Sequence, residues 1–224
     1  MHLRNAVRRL EQFQKGAITS RLGSLEMAFR GLAGSKCAPT CAIQEVDLEL
    51  LESLLLIKKV AGQINVAVHA VGLLLALPAL LKHHERIESL SLGAGNTGRK
   101  FDLVTSYRIA EFKFIRWRGG AESIRQNALF KDFYNLAESN TRKAKFLYVL
   151  GLKHPLTFLN GRRSITSVFS RNNSLLQDFE RRYGERFTVV KDYYDYRHRL
   201  VRIVDLLDLV PILAKLPSED IRAA

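Results

Sequence analysis

The stretch FDLVTSYRIAEFKF, residues 101–114, decides the reading of the chain, because spacing, strand character and titratable side chains agree there. FDLVTSYR and IAEFKFIRW are rich in β-branched and aromatic residues, and the break at Tyr107-Arg108 suits a tight hairpin between two antiparallel strands. Residues two apart in a strand share a face, so Glu111 and Lys113 project to one side while Ala110, Phe112 and Phe114 project into an apolar layer. Asp102, near the start of the partner strand, can then approach Glu111. Two carboxylates converging with one lysine suit a hard cation such as Mg²⁺ or Mn²⁺, with the ammonium beside an attacking water or a phosphate. The same spacing also fits an ordinary amphipathic strand whose polar face is solvated.

Working outward, Val60–Leu81 is the most apolar part of the chain, flanked by Lys58, Lys59 and Lys82 and interrupted by Gln63, Asn65, His69 and Pro78. Its length approaches a membrane span, but the interruptions and the strand pattern that follows favour a buried core helix. Asn65 and His69, one turn apart, read as a polar pair around a satisfied buried histidine. Ile87–Leu92 reads as a short strand, and GAGNTG, residues 93–98, as a turn that either brings the backbone and Arg99-Lys100 near a phosphate or forms the hairpin. Beyond the hairpin, Arg116 and Arg118 flank Trp117. A helix is expected over about Ser123–Glu138, with Leu129, Phe130, Phe133, Leu136 and Ala137 as its buried stripe. Gln126 falls on that stripe, where it either reaches towards the Asp102–Glu111 region or closes a capping box with Ser123. Phe146–Leu150 is the next apolar strand.

This order of elements, with its D…ExK spacing, resembles the PD-(D/E)XK nuclease superfamily over roughly Val60–Leu152. The resemblance implies an α/β fold with a restriction-endonuclease-like αβββαβ core, its mixed central sheet flanked by helices. It implies that Asp102 and Glu111 bind the metal, that Lys113 positions or polarises the water, and that Gln126 reaches towards the metal site or substrate. Phe101 stands where the name-giving proline would be, and no acid lies between Val60 and His84, where the first helix of the family often supplies one. The implied activity is Mg²⁺- or Mn²⁺-dependent hydrolysis of DNA phosphodiesters. The alternative is a non-catalytic nucleic-acid-binding module on the same scaffold, and a membrane-associated protein built around residues 60–81 is a third. Two sites, as in a homodimer, would be needed to cut both strands in one event.

Charge points to the same partner. The chain has 35 Lys and Arg against 22 Asp and Glu, a formal +13 over 224 residues, which implies an anionic partner. Arg162 and Arg163, with Arg171 nearby, extend the basic surface. Cys37 and Cys41 form neither a zinc site nor a disulfide framework, so a reducing, cytoplasmic compartment is expected. The N-terminal helix, with Leu3, Val7, Leu10 and Phe13 on one face, is expected as a basic arm; its arginines also fit an organelle transit peptide. Three parts follow: an arm with a loop over 1–40, a nuclease-like domain over 41–216 and a frayed tail over 217–224. Within the domain, Val46–Lys59 reads as a separate helix, Ser174–Tyr183 as another, and Phe187–Val190 and Arg199–Val204 as strands. Tyr193, Tyr194 and Tyr196 between these strands suit either the core edge or base stacking.

Overall fold

The computed structural model describes residues 2–93, 100–114, 117, 122–211 and 213. Arg99, Arg116, Arg118, most of the GAGNTG turn and the tail from Pro217 lie outside the described residues. The described chain divides into two units, one up to Asn65 and one from Val66.

The first unit is helical. Helix α1 (Leu3–Gln14) is followed by α2 (Ile18–Phe29) and α3 (Gly34–Ile43). The loop expected within the first 40 residues, where GLAGSKCAPT (31–40) carries Gly, Ser and Pro, is thus largely helix, with Pro39 inside it. Helix α1 buries Ala6 and Phe13 and leaves Leu3 and Val7 exposed, so its apolar face is narrower than the sequence pattern implied. Arg9 ties this unit together by donating to the Glu45 carbonyl (3.0 Å) and to Asp47 (2.8 Å).

Helix α4 (Leu48–Leu80) merges the two helices expected on either side of Lys59. By length and composition it could cross a membrane. From Val66 onward it belongs to the second unit. There Leu73, Ala76 and Leu80 are buried, whereas Val68, Val71 and Leu75 are exposed. The expectation of a buried core helix therefore holds for one face alone.

The second unit continues with β1 (Ile87–Leu90), β2 (Leu103–Thr105), β3 (Arg108–Lys113), α5 (Ser123–Ala137) and β4 (Ala144–Val149). Then come α6 (Lys153–Leu159), α7 (Ile165–Phe169), α8 (Asn173–Tyr183), α9 (Val190–Arg197), β5 (Arg202–Asp205) and α10 (Leu206–Leu209). The strands form one mixed sheet in the order β1-β2-β3-β4-β5. Connections explain the directions: the short turn after Thr105 makes β2 and β3 antiparallel, and the α5 crossover makes β3 and β4 parallel. Phe187–Val190, expected as a strand, supplies one isolated bridge, Ser164 to Val189, before Val190 opens α9.

The alternation of β3 divides the core. Ile109 packs with Leu129, Phe130, Phe133 and Leu136 of α5, and Ala110 and Phe112 pack with Leu73, Ala76 and Leu80 of α4. Glu111 and Lys113 share the parity of Ile109 and so lie on the α5 side of the sheet. Gly72 allows the α4 side to close, since a Cβ there would sit 2.6 Å from the Phe114 ring. A second buried anchor joins the sheet to the turn before it: Arg108 forks onto Glu85 through two 2.7 Å bonds and donates to the Tyr148 hydroxyl at 2.7 Å. Burial raises the Glu85 carboxyl, but the hydrogen bonds from Arg108 and Thr105 outweigh it and hold the acid below its ordinary range.

Candidate active site

A cavity of about 320 Å³ opens beside β3, and its lining includes Asp102, Glu111 and Lys113. Each arrives by a local rule. Lys113 and Glu111 are alternate residues of β3. Asp102 immediately precedes β2, whose Leu103 is opposite Ala110, and its Oδ2 accepts the Phe112 N–H at 2.9 Å. The hairpin backbone thereby fixes the acid that its side-chain pair depends on.

Two residues that the sequence reading did not place here complete the group. His69, on α4, brings Nε2 to 3.4 Å from Asp102 Oδ1, and that nitrogen is buried with no hydrogen-bond partner among the described residues. Asp132, on α5, is 7% exposed and forms an ion pair with Lys113. Helical spacing accounts for it, because Ala128, Lys131, Asp132 and Asn135 fall on one face of α5 and all four line the cavity. A signal was present: Asp132 lies three residues after Leu129 and four before Leu136, which places a carboxylate at the edge of the buried stripe.

Gln126 is not brought to this cavity. Six positions before Asp132, it lies about 9 Å away along the helix axis and about 120° around it. Its Oε1 accepts from Arg163 at 2.6 Å. It forms no capping box either, because the N-cap is Glu122, not Ser123, and the helix start has no side-chain cap hydrogen bond. Arg163 is consequently committed to Gln126 and Ser167, while Arg162 is exposed. Lys100 lines the cavity. Of the tyrosines, Tyr193 is buried and donates to Glu138 at 2.8 Å, so it belongs to the core; Tyr196 is exposed.

Three carboxylates near one lysine cannot all be ionised cheaply. Burial, with the charges of Asp132 and Asp102, pushes Glu111 up to about 10, so at neutral pH it is a neutral acid hydrogen-bonded to Asp102. Asp102 stays low: burial opposes ionisation, and the nearby His69 ring, the Glu111 proton and the Phe112 N–H more than offset it. Burial also raises Asp132 against the pull of Lys113. Lys113 is desolvated, yet the surrounding acids raise it and keep it an ammonium.

Among the described residues, no group of three His, Cys, Asp or Glu side chains is arranged as a ready-made metal cage. The donors that do converge, Asp102 and Glu111, match the smaller demand of Mg²⁺, which keeps several waters and takes one or two carboxylates together with substrate phosphate. The surplus negative charge that forces a proton onto Glu111 is also what a divalent cation would neutralise. By these two tests the residues fit the ion.

No known protein-family model, curated protein or solved structure matches the chain.

Proposed function

We propose that the protein is a divalent-cation-dependent phosphodiesterase of the PD-(D/E)XK kind, with a restriction-endonuclease-like core, acting on DNA. The observation that carries this reading is the meeting of Asp102, Glu111 and Lys113 in one cavity, with Asp102 locked to the Phe112 N–H at 2.9 Å. The element order α4-β1-β2-β3-α5-β4 supports the fold assignment, and the formal charge of +13 supports a polyanionic substrate.

Asp102 and Glu111 would hold Mg²⁺ or Mn²⁺, which supplies Lewis acidity at the phosphoryl oxygens. Glu111 must release its proton for this, so cation binding and deprotonation are linked. Lys113 lines the same cavity and is steadied by Asp132, so it would meet a phosphate oxygen, or the water that attacks it, there. His69 steadies the far oxygen of Asp102. Asp132 is a positioning residue acting through Lys113.

The test is incubation of the purified protein with labelled duplex and single-stranded DNA, with and without Mg²⁺ or Mn²⁺. Metal-dependent cleavage that disappears in Asp102→Asn and Glu111→Gln, with far-UV circular dichroism unchanged, is the expected result. Wild-type activity in both variants would sink the proposal. Salt-sensitive binding without cleavage at any metal concentration would leave a binding module on this scaffold.

A further inference from the structure

Helix α5 carries a second stripe beyond its acidic face. Ile124, Asn127, Ala128 and Lys131 recur at helical spacing and line a separate cavity of about 180 Å³, closed by Val168, Phe169, Arg171 and Asn172. Ala128 and Lys131 line this cavity and the acidic one alike, so the two are neighbours along a single helix face. Nothing in the proposed hydrolysis uses the second cavity.

Its chemistry is particular. Val168 and Phe169 are buried and make an apolar floor, and Ile124, 70% exposed, stands at the rim. Asn127 Oδ1 is buried and has no hydrogen-bond partner among the described residues. An orphaned buried acceptor is expensive, roughly 1–3 kcal/mol, and is satisfied by a ligand donor. Arg171 is exposed at the rim and makes no ion pair among the described residues. The volume is below the roughly 300 Å³ where drug-sized sites begin, which leaves room for a single planar ring system. An apolar floor, one acceptor and a cationic rim are the features that seat a nucleobase while its backbone phosphate stays outside.

We propose that this cavity takes an unpaired base of the strand whose phosphate lies in the acidic cavity, so that the substrate is single-stranded or frayed DNA. The inference rests on the nuclease reading for its direction, but it makes a binding claim of its own. Ala128 and Lys131 line both cavities, so a strand whose phosphate occupies the acidic one passes the mouth of the other, where a base that has left the stack can turn in. Ile124 covers the seated ring, Asn127 Oδ1 accepts from its amino or imino N–H, and Arg171 faces the adjoining phosphate.

The experiment uses the full chain in metal-free buffer, where no cleavage occurs. Fluorescence anisotropy of an end-labelled single-stranded oligonucleotide is compared with that of the blunt duplex of the same sequence. A matched strand carrying 2-aminopurine reports whether a base leaves the stack. Wild type should bind the single strand at least tenfold more tightly than the duplex and change the 2-aminopurine emission. Ile124→Glu and Asn127→Leu should each bring the two affinities within about twofold of one another, with melting temperature and duplex binding preserved. Equal affinities in the wild type, or a preference that survives both variants, would overturn the inference. The two proposals also fail separately. Strand preference without any metal-dependent cleavage leaves the base pocket standing and removes the nuclease, while equal cleavage of blunt duplex and single strand does the reverse.

Discussion

Glu111→Gln should make the protein more stable while making it inactive. In the folded chain the Glu111 carboxyl is pushed from 4.5 to about 10, chiefly by burial and then by the charges of Asp132 and Asp102. A folded-state value above the unfolded one means that the native state binds the extra proton. Stability from this group is therefore complete below pH 4.5 and is lost progressively as pH rises towards about 10. At pH 7 the loss spans 2.5 units (7 − 4.5), and at about 1.4 kcal/mol per unit it comes to about 3 kcal/mol. Glutamine keeps the volume and can still donate to Asp102, but it carries no proton to lose. Urea unfolding of the two proteins should therefore coincide near pH 4.5 and diverge on the alkaline side, with the variant ahead by about 3 kcal/mol at pH 7. Millimolar Mg²⁺ should close part of the gap by stabilising the wild type alone. A variant that is less stable at pH 8 than the wild type, or a difference independent of pH, would refute the claim that Glu111 is held as a neutral acid.

Gln126→Ala should leave turnover per folded molecule unchanged and cost about 1–2 kcal/mol, because what it removes is the acceptor for Arg163; a tenfold fall in turnover would contradict that placement. Glu85→Ala should cost about 3–5 kcal/mol in chemical denaturation, since it strands the buried Arg108 guanidinium, and a loss below about 1 kcal/mol would show that water reaches the pair. Asp132→Asn should reduce cleavage and shift the alkaline limb of its pH profile to lower pH, because Lys113 loses a charge that raises it; a profile that moves only in height would make Asp132 purely structural. Arg162→Ala should lower the slope of log affinity against log salt by about 0.9, whereas Arg163→Ala should change it less, and equal slopes for both would mean that Gln126 does not restrain Arg163.

What could be read from the chain was whatever repeats locally. The period of two in RIAEFK placed Glu111 and Lys113 together, and the 3.6-residue recurrence of Leu129, Phe133 and Leu136 gave α5 its buried face. The facing of Glu111 and Lys113 was legible, but their burial was not, because it depends on α5 folding back across the sheet. Asp132 and His69 escaped for the same reason: each is an unremarkable residue on its own helix, and only tertiary packing turns it onto Lys113 or Asp102. The residues Phe187–Val190 misled by composition. They have strand propensity but sit on no sheet position, and Val190 is buried as the first residue of a helix instead. The break at Lys58-Lys59 misled in the opposite sense, since two adjacent lysines punctuate the apolar pattern without interrupting the backbone hydrogen bonds of α4.

Helix α5 serves two masters at once. One stripe, through Phe130 and Phe133, is fully buried in the core, and the neighbouring stripe carries Asp132 and the lining of both cavities. The amides behind Asp132 should then exchange with deuterium only through global opening, at the rate of the slowest core amides. A site mounted in this way has no melting transition of its own. On warming, the proposed cleavage should persist up to the unfolding temperature and end with the fold, and cooling should restore both together.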